Sequence, residues 1–243
     1  MVKVPMLNEE TDQLLSRHRL SRRAMLRSTS GLIGVAATGG MGLFFSNNAE
    51  AARKGKPGIF NTIEIKKKGL KPFPKWTGAM ERFISEKQKN DGKCKPTARK
   101  KCYYQTWANM IDGLKDKDPW KKILGVNKFM NRAPYVVDKM NWGVKDYWST
   151  PGQFFAKYGD CEDYAIVKFL SLRALGIPSK SMRIVVVQDM NLKIAHAVLA
   201  IYVRGKVLVL DNQIKKVVES KTIRHYRPIF SLNEEGWWLH RKA

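Results

Sequence analysis

The chain has 243 residues, 44% of them hydrophobic, and 45 Lys and Arg against 21 Asp and Glu give a formal net charge of +24. That length supports one domain with a sizeable core. The basic balance draws the protein towards polyanions such as acidic lipid, lipopolysaccharide or an acidic protein. Nucleic acid is excluded as a partner because no recognisable nucleic-acid module accompanies the charge and the amino terminus reads as an export signal.

Ser21-Arg22-Arg23-Ala24-Met25-Leu26 is a twin-arginine pattern, followed by an apolar run from Gly31 to Phe45 and a small-x-small site at Ala49-Glu50-Ala51. The run is 15 residues, short of the roughly 20 a spanning helix needs. Residues 1–51 therefore read as a twin-arginine signal peptide, cleaved near Ala51, that delivers a folded protein to the periplasm. An uncleaved anchor is the alternative. The leader carries six basic and four acidic residues, so the remaining 192 residues keep +22. Residues 52–76 read as a basic lead-in with an extended anchor at Lys71 to Trp76, and 77–243 as the domain.

Spacing near 3.6 predicts helices at Thr77 to Lys89, Tyr103 to Leu114 and Trp120 to Arg132. Of three cysteines, Cys94 and Cys102 are close enough to pair in an oxidising compartment, which leaves Cys161 free. Cys161 lies in Gly159-Asp160-Cys161-Glu162-Asp163-Tyr164-Ala165, ahead of an apolar stripe of Ala165, Ile166, Phe169, Leu172 and Leu175. Gly176 and Pro178 end that helix. The thiol thus sits in a helix's first turn, where unpaired N–H groups lower its pKa. Asp160 and Glu162 oppose this, because like charge raises a thiol's pKa. A hard cation would remove the conflict, and carboxylates suit calcium. The alternative makes Asp160 and Asp163 simple helix caps.

Three strands follow, at Met182 to Gln188, Ile194 to Val203 and Lys206 to Asp211, the last two joined at Arg204-Gly205. If Val203 pairs with Lys206, Asp211 falls opposite Val198. His196 shares the face of Val198, so Asp211 becomes its diagonal neighbour at roughly 7–8 Å between backbones. Cys161, His196 and Asp211 can then form a triad, with thiol, base and orienter. Helices first and strands later give an α+β order. Aromatic Tyr226 to Trp238 closes the core or the cleft edge.

The Gly-Asp-Cys-Glu-Asp-Tyr-Ala run, Lys168, Leu175-Gly176-Ile177-Pro178, His196-Ala197-Val198-Leu199 and Leu210-Asp211-Asn212 resemble the bacterial transglutaminase-like cysteine peptidases. Trp142-Gly143, Asp146 to Pro151 and Gly236 to His240 add to the likeness, which spans roughly Phe73 to His240. That family includes periplasmic proteases of the LapG type, which clip large surface adhesins. The resemblance implies a papain-like or transglutaminase-like α+β fold, with Cys161 as nucleophile, His196 as base and Asp211 as orienter. It also implies calcium near Asp160, Glu162 and Asp163, and control by an inner-membrane receptor responsive to cyclic-di-GMP.

The reaction expected is acyl transfer to the thiolate followed by hydrolysis of a protein substrate. The Cys161 N–H supplies one oxyanion donor, with the Trp148 indole or the Gln153 amide as a second. An amine acceptor in place of water would make the enzyme a transglutaminase or amidase on envelope peptides. A non-catalytic binding module is the third reading.

Overall fold

The structure, a computed structural model, describes residues 58–90, 94, 97 and 101–243. The twin-arginine segment, its cleavage site and residues 52–57 lie outside the described residues.

Every long helix and strand predicted above is present. The helices are α1 (Pro74–Asn90), α2 (Tyr103–Leu114), α3 (Pro119–Met130), α4 (Asp138–Trp142), α5 (Pro151–Lys157) and α6 (Cys161–Ala174). The strands are β1 (Thr62–Lys67), β2 (Met182–Asp189), β3 (Ile194–Val203), β4 (Lys206–Leu210), β5 (Val218–Glu219), β6 (Tyr226–Asn233) and β7 (Gly236–Lys242). They form one antiparallel sheet in the order β1-β7-β6-β2-β3-β4-β5.

Two readings are corrected. The lead-in is not outside the domain: β1 pairs with β7 from Thr62↔Lys242 to Lys67↔Trp237, and Pro74 already opens a helix where an extended anchor was expected. Among the described residues the sheet has seven strands, not three: β1 and β5 join it, and the aromatic tail folds as the hairpin β6–β7 with its turn at Glu234-Glu235. Pro228 obscured this. It lacks an N–H for the ladder, and the β2–β6 register slips there, with Val186 facing Phe230 but Val187 facing Pro228.

The helices cover one face of the sheet. Their common core includes Trp76, Trp107, Ile123, Phe154, Phe169, Leu199 and Leu232. α6 lies at the centre, packed on β2 and β3 and covered by α3 and α5. It is buried all round from Asp163 to Leu172, not along one stripe. Its polar members therefore enter the core too, and Ser171 Oγ is held there by the Trp107 indole N–H at 2.8 Å. The other face carries a smaller cluster of Ile59, Phe60, Val185, Val198, Tyr202, Ile223 and Tyr226. The Cys94–Cys102 disulfide is formed, and Cys161 is free.

Candidate active site

Cys161 opens α6 at the rim of the β2–β3 surface. Tyr158, with φ of 63°, turns the chain out of α5 and into this helix. Gly159 follows because nothing larger fits: a Cβ there would lie 2.1 Å from Asp163 Oδ2. The Asp160 N–H donates to Asp163 Oδ2 at 3.4 Å, and the Ser149 N–H to Asp163 Oδ1 at 2.6 Å. The buried Asp163 thus ties the nucleophile's turn to the segment ahead of α5. That is the capping role weighed above.

The hairpin register is as derived. Val203 pairs with Lys206 and Leu199 with Leu210, so Asp211 and His196 share a face. His196 Nε2 meets Asp211 Oδ1 at 2.9 Å, both residues being almost wholly buried. A carboxylate only accepts, so Nε2 carries the hydrogen and Nδ1 is left as the basic nitrogen. Gln213 Nε2 lies 3.4 Å from Nδ1. Burial alone would raise the Asp211 pKa, but His196, Tyr226 and the Gln213 N–H outweigh it and hold the carboxyl below its ordinary value. Tyr226 donates to Asp211 Oδ2 at 2.6 Å, Gln213 N–H to Oδ1 at 2.8 Å, and Asn131 Nδ2 to the Asp211 carbonyl at 2.7 Å. Sequence reasoning missed Tyr226 and Gln213 as members of this network. Only the aromatic tail and the proximity of Gln213 to Asp211 hinted at them.

The β3 backbone reaches the thiol as well, with the Ala197 N–H facing the Cys161 sulfur. The thiol itself is not acidic in this setting. Burial, then Glu162 and Asp160, push its pKa up, and only the Ala197 N–H pulls the other way. The Sγ–H donates to Glu162 Oε2 at 3.0 Å. Burial and the adjoining carboxylates therefore set the thiol's character here, burial foremost.

Those carboxylates are part of a larger cluster. Asp138, Asp160 and Asp163 each bring an oxygen within 4.8 Å of one another, and so do Asp138, Asp146 and Glu162. Among the described residues, Oδ1 of Asp138 and Oδ1 of Asp160 are buried with no hydrogen-bond partner. Burial foremost, and the neighbouring carboxylates after it, raise Asp138 to about 6 and raise Asp160, Glu162 and Asp163 as well. Orphaned, crowded carboxylate oxygens fit a hard divalent cation. Asp160, Glu162 and Asp163, the three carboxylates singled out from sequence, all lie in these groupings, and both Asp163 oxygens also accept from backbone N–H groups. Asp138 and Asp146 were not singled out from sequence, since neither adjoins the cysteine.

The two sequence-derived candidates for a second oxyanion donor are both built into the surrounding structure. Gln153 Oε1 closes the α5 capping box by accepting from Thr150 N–H at 3.0 Å, and one of its two amide N–H groups donates to Tyr147 Oη at 2.8 Å. Trp148 is buried in the core beside α6.

Residues 88–241 match the profile described as bacterial transglutaminase-like cysteine proteinase, BTLCP. The chain belongs to this family. It is a cysteine peptidase of transglutaminase-like type, with the corresponding α+β fold. Legionella pneumophila LapG is similar in structure at 34% identity, over 64% of this chain and 87% of that one, with a TM-score of 0.54. Its calcium-bound form gives the same identity and coverage and a TM-score of 0.55. The EGTA-treated form matches 65% of this chain and 86% of that one, again at 34% identity and a TM-score of 0.55. No curated protein matches the chain.

Proposed function

We propose that this peptidase is exported to the periplasm and, with calcium bound, cuts an envelope or surface protein such as a large adhesin. The observation that carries the reading is the buried His196–Asp211 pair, placed by β3 and β4 with the N–H of the next residue, Ala197, directed towards the Cys161 sulfur. In the proposed reaction His196 Nδ1 takes the Sγ proton, and the thiolate attacks the scissile carbonyl carbon. The carbonyl π pair moves to oxygen. As it returns, the C–N bond breaks and the leaving amine takes the proton from His196. Water then hydrolyses the thioester by the same base. Asp211 holds the imidazole through Nε2, and Tyr226 and Gln213 hold Asp211.

Asp160, Glu162 and Asp138, with Asp146 nearby, would hold the calcium, and Asp163 would brace the turn. Bound there, the cation supplies positive charge that offsets the carboxylates around the thiol. Support for calcium comes from the orphaned Asp138 and Asp160 oxygens and from the calcium-bound form of the Legionella relative. The location rests on the Arg22-Arg23 leader, and an inner-membrane regulatory receptor is part of the same reading.

Cells carrying Cys161→Ala should retain on their surface a large protein that wild-type cells shed. Comparing shed envelope proteins between the two strains tests this. Identical shed profiles, with purified wild-type protein inert towards envelope extracts in calcium, would sink the substrate assignment.

A further inference from the structure

The segment between α3 and α4 is pinned to the turn that carries the nucleophile. Tyr135 forms a parallel bridge with Gly159, and the Val136 N–H donates to the Gly159 carbonyl at 2.9 Å. The Tyr135 ring stacks on Tyr164 at 6.4 Å between centroids and 16° between planes. Tyr164, one turn along α6 from Cys161, is itself fixed by its hydroxyl donating to the Ala133 carbonyl at 2.5 Å. Bridge and stack together place the Tyr135 hydroxyl beside the Cys161 backbone N–H, which points to the phenol oxygen. As the first residue of a helix, Cys161 has no intrahelical acceptor for that N–H. The tyrosine side chain is about half exposed, so substrate can reach it.

We propose that Tyr135 is a catalytic residue, the second donor of the oxyanion hole, acting with the Cys161 N–H. This rests on the cysteine peptidase mechanism above. When the thiolate adds to a carbonyl carbon, the π pair becomes a lone pair on oxygen beside the Cys161 N–H. The Tyr135 O–H, protonated at neutral pH because a phenol's pKa is about 10, donates to the same oxygen. When the C–S adduct collapses, the pair returns to the carbonyl and the leaving group departs with its electrons. Tyr135 keeps its proton throughout. Its hydrogen bond strengthens only as charge develops, which is the property that accelerates the chemical step.

The test compares two reactions of the same sulfur in the mature protein with calcium present. Acylation by p-nitrophenyl acetate develops an oxyanion, whereas alkylation by iodoacetamide displaces iodide and develops none. Tyr135→Phe should slow acylation by at least about tenfold, towards the roughly 10²–10³ seen when one oxyanion donor is lost. Alkylation should stay within about twofold of wild type. Unchanged acylation overturns the proposal, as does an equal fall in both rates, which would mean that Tyr135 tunes the thiol or holds the turn. Cys161→Ala keeps the two levels of inference apart. A wild-type protein that acylates no faster than Cys161→Ala refutes the peptidase mechanism itself, and the role of Tyr135 with it.

Discussion

Lys168 is the residue whose environment most contradicts its chemistry. It sits two turns beyond Cys161 on α6, fully buried, and among the described residues its Nζ has no hydrogen-bond partner. The Tyr164 ring lies 5.8 Å away, and the Asp211 carboxylate favours its charge. Burial is the larger effect and pushes its pKa down to about 7. A lysine whose folded pKa is depressed binds fewer protons when folded between that value and the unfolded 10.4, so stability rises with pH across this window. Below pH 7 the penalty is complete, on the order of a few kcal/mol at about 1.4 kcal/mol per pKa unit. Lys168→Met should therefore stabilise the domain at pH 6 and confer progressively less as pH approaches 10. Thermal melts of both proteins from pH 6 to 10 check this. A gain independent of pH would mean that volume, not charge, decides the site.

At the scale of elements, the first turn of α6 joins the nucleophile to the acidic cluster. The sequence announced this turn well, because Cys161, Asp160 and Glu162 are contiguous and Gly176 marks where the helix must end. The hairpin was equally legible, since its two-residue turn leaves one register that buries Val198, Ala200 and Val209 on one face. Asp138 and Asp146 were hidden because tertiary packing, not spacing, brings α4 and the segment after it beside Cys161. The metal-free cluster has a definite pH signature. Carboxyls whose folded pKa is raised bind more protons when folded, so stability is present at low pH and falls as pH rises through those values. With Asp138 at about 6 and its neighbours raised too, the chelated protein should melt lower at pH 7.5 than at pH 5.5. Calcium should raise Tm more at pH 7.5, where the ligands are ionised, and more than magnesium does at either pH, since the smaller ion demands stricter geometry. Asp138→Asn and Asp160→Asn should each weaken the calcium response. A calcium response equal at both pH values, or intact in both variants, would place any ion elsewhere.

For the molecule as a whole, the α+β class was legible in the sequence but the extent of the sheet was not, and the reason lies at its amino-terminal edge. β1 reads as polar because Lys66 and Lys67 are exposed and its buried residues, Thr62 and Glu64, spend their polarity on a network. Glu64 receives the Arg183 guanidinium, the Ile59 N–H at 2.9 Å and the Tyr202 hydroxyl at 3.1 Å. Arg183 lies between the rings of Tyr202 and Trp238, 4.5 and 3.7 Å from their centroids. His240 joins Thr62 Oγ1 at 3.0 Å to Ser231 Oγ at 2.9 Å. The network therefore ties β1 to β2, β3, β6 and β7, across the width of the sheet, and no local pattern could announce it. Burial would raise the Glu64 pKa, but Arg183 and the Ile59 N–H outweigh it and hold the carboxyl low. A depressed carboxyl contributes stability that is present above its unfolded value and lost as pH falls through the folded one. Burial also lowers His240 to about 4, so charging it opposes folding as pH drops from about 6.5. Glu64→Ala should cost about 3–5 kcal/mol at pH 7, because it strands a buried guanidinium, and lower Tm by roughly 10 °C in a domain of this size. Glu64→Leu combined with Arg183→Met should cost much less than the sum of the two single changes, since it removes both charges together. If Glu64→Ala melts within about 2 °C of wild type, β1 is not held by this pair. The β1–β7 ladder from Thr62↔Lys242 to Lys67↔Trp237 would then hold the strand by itself.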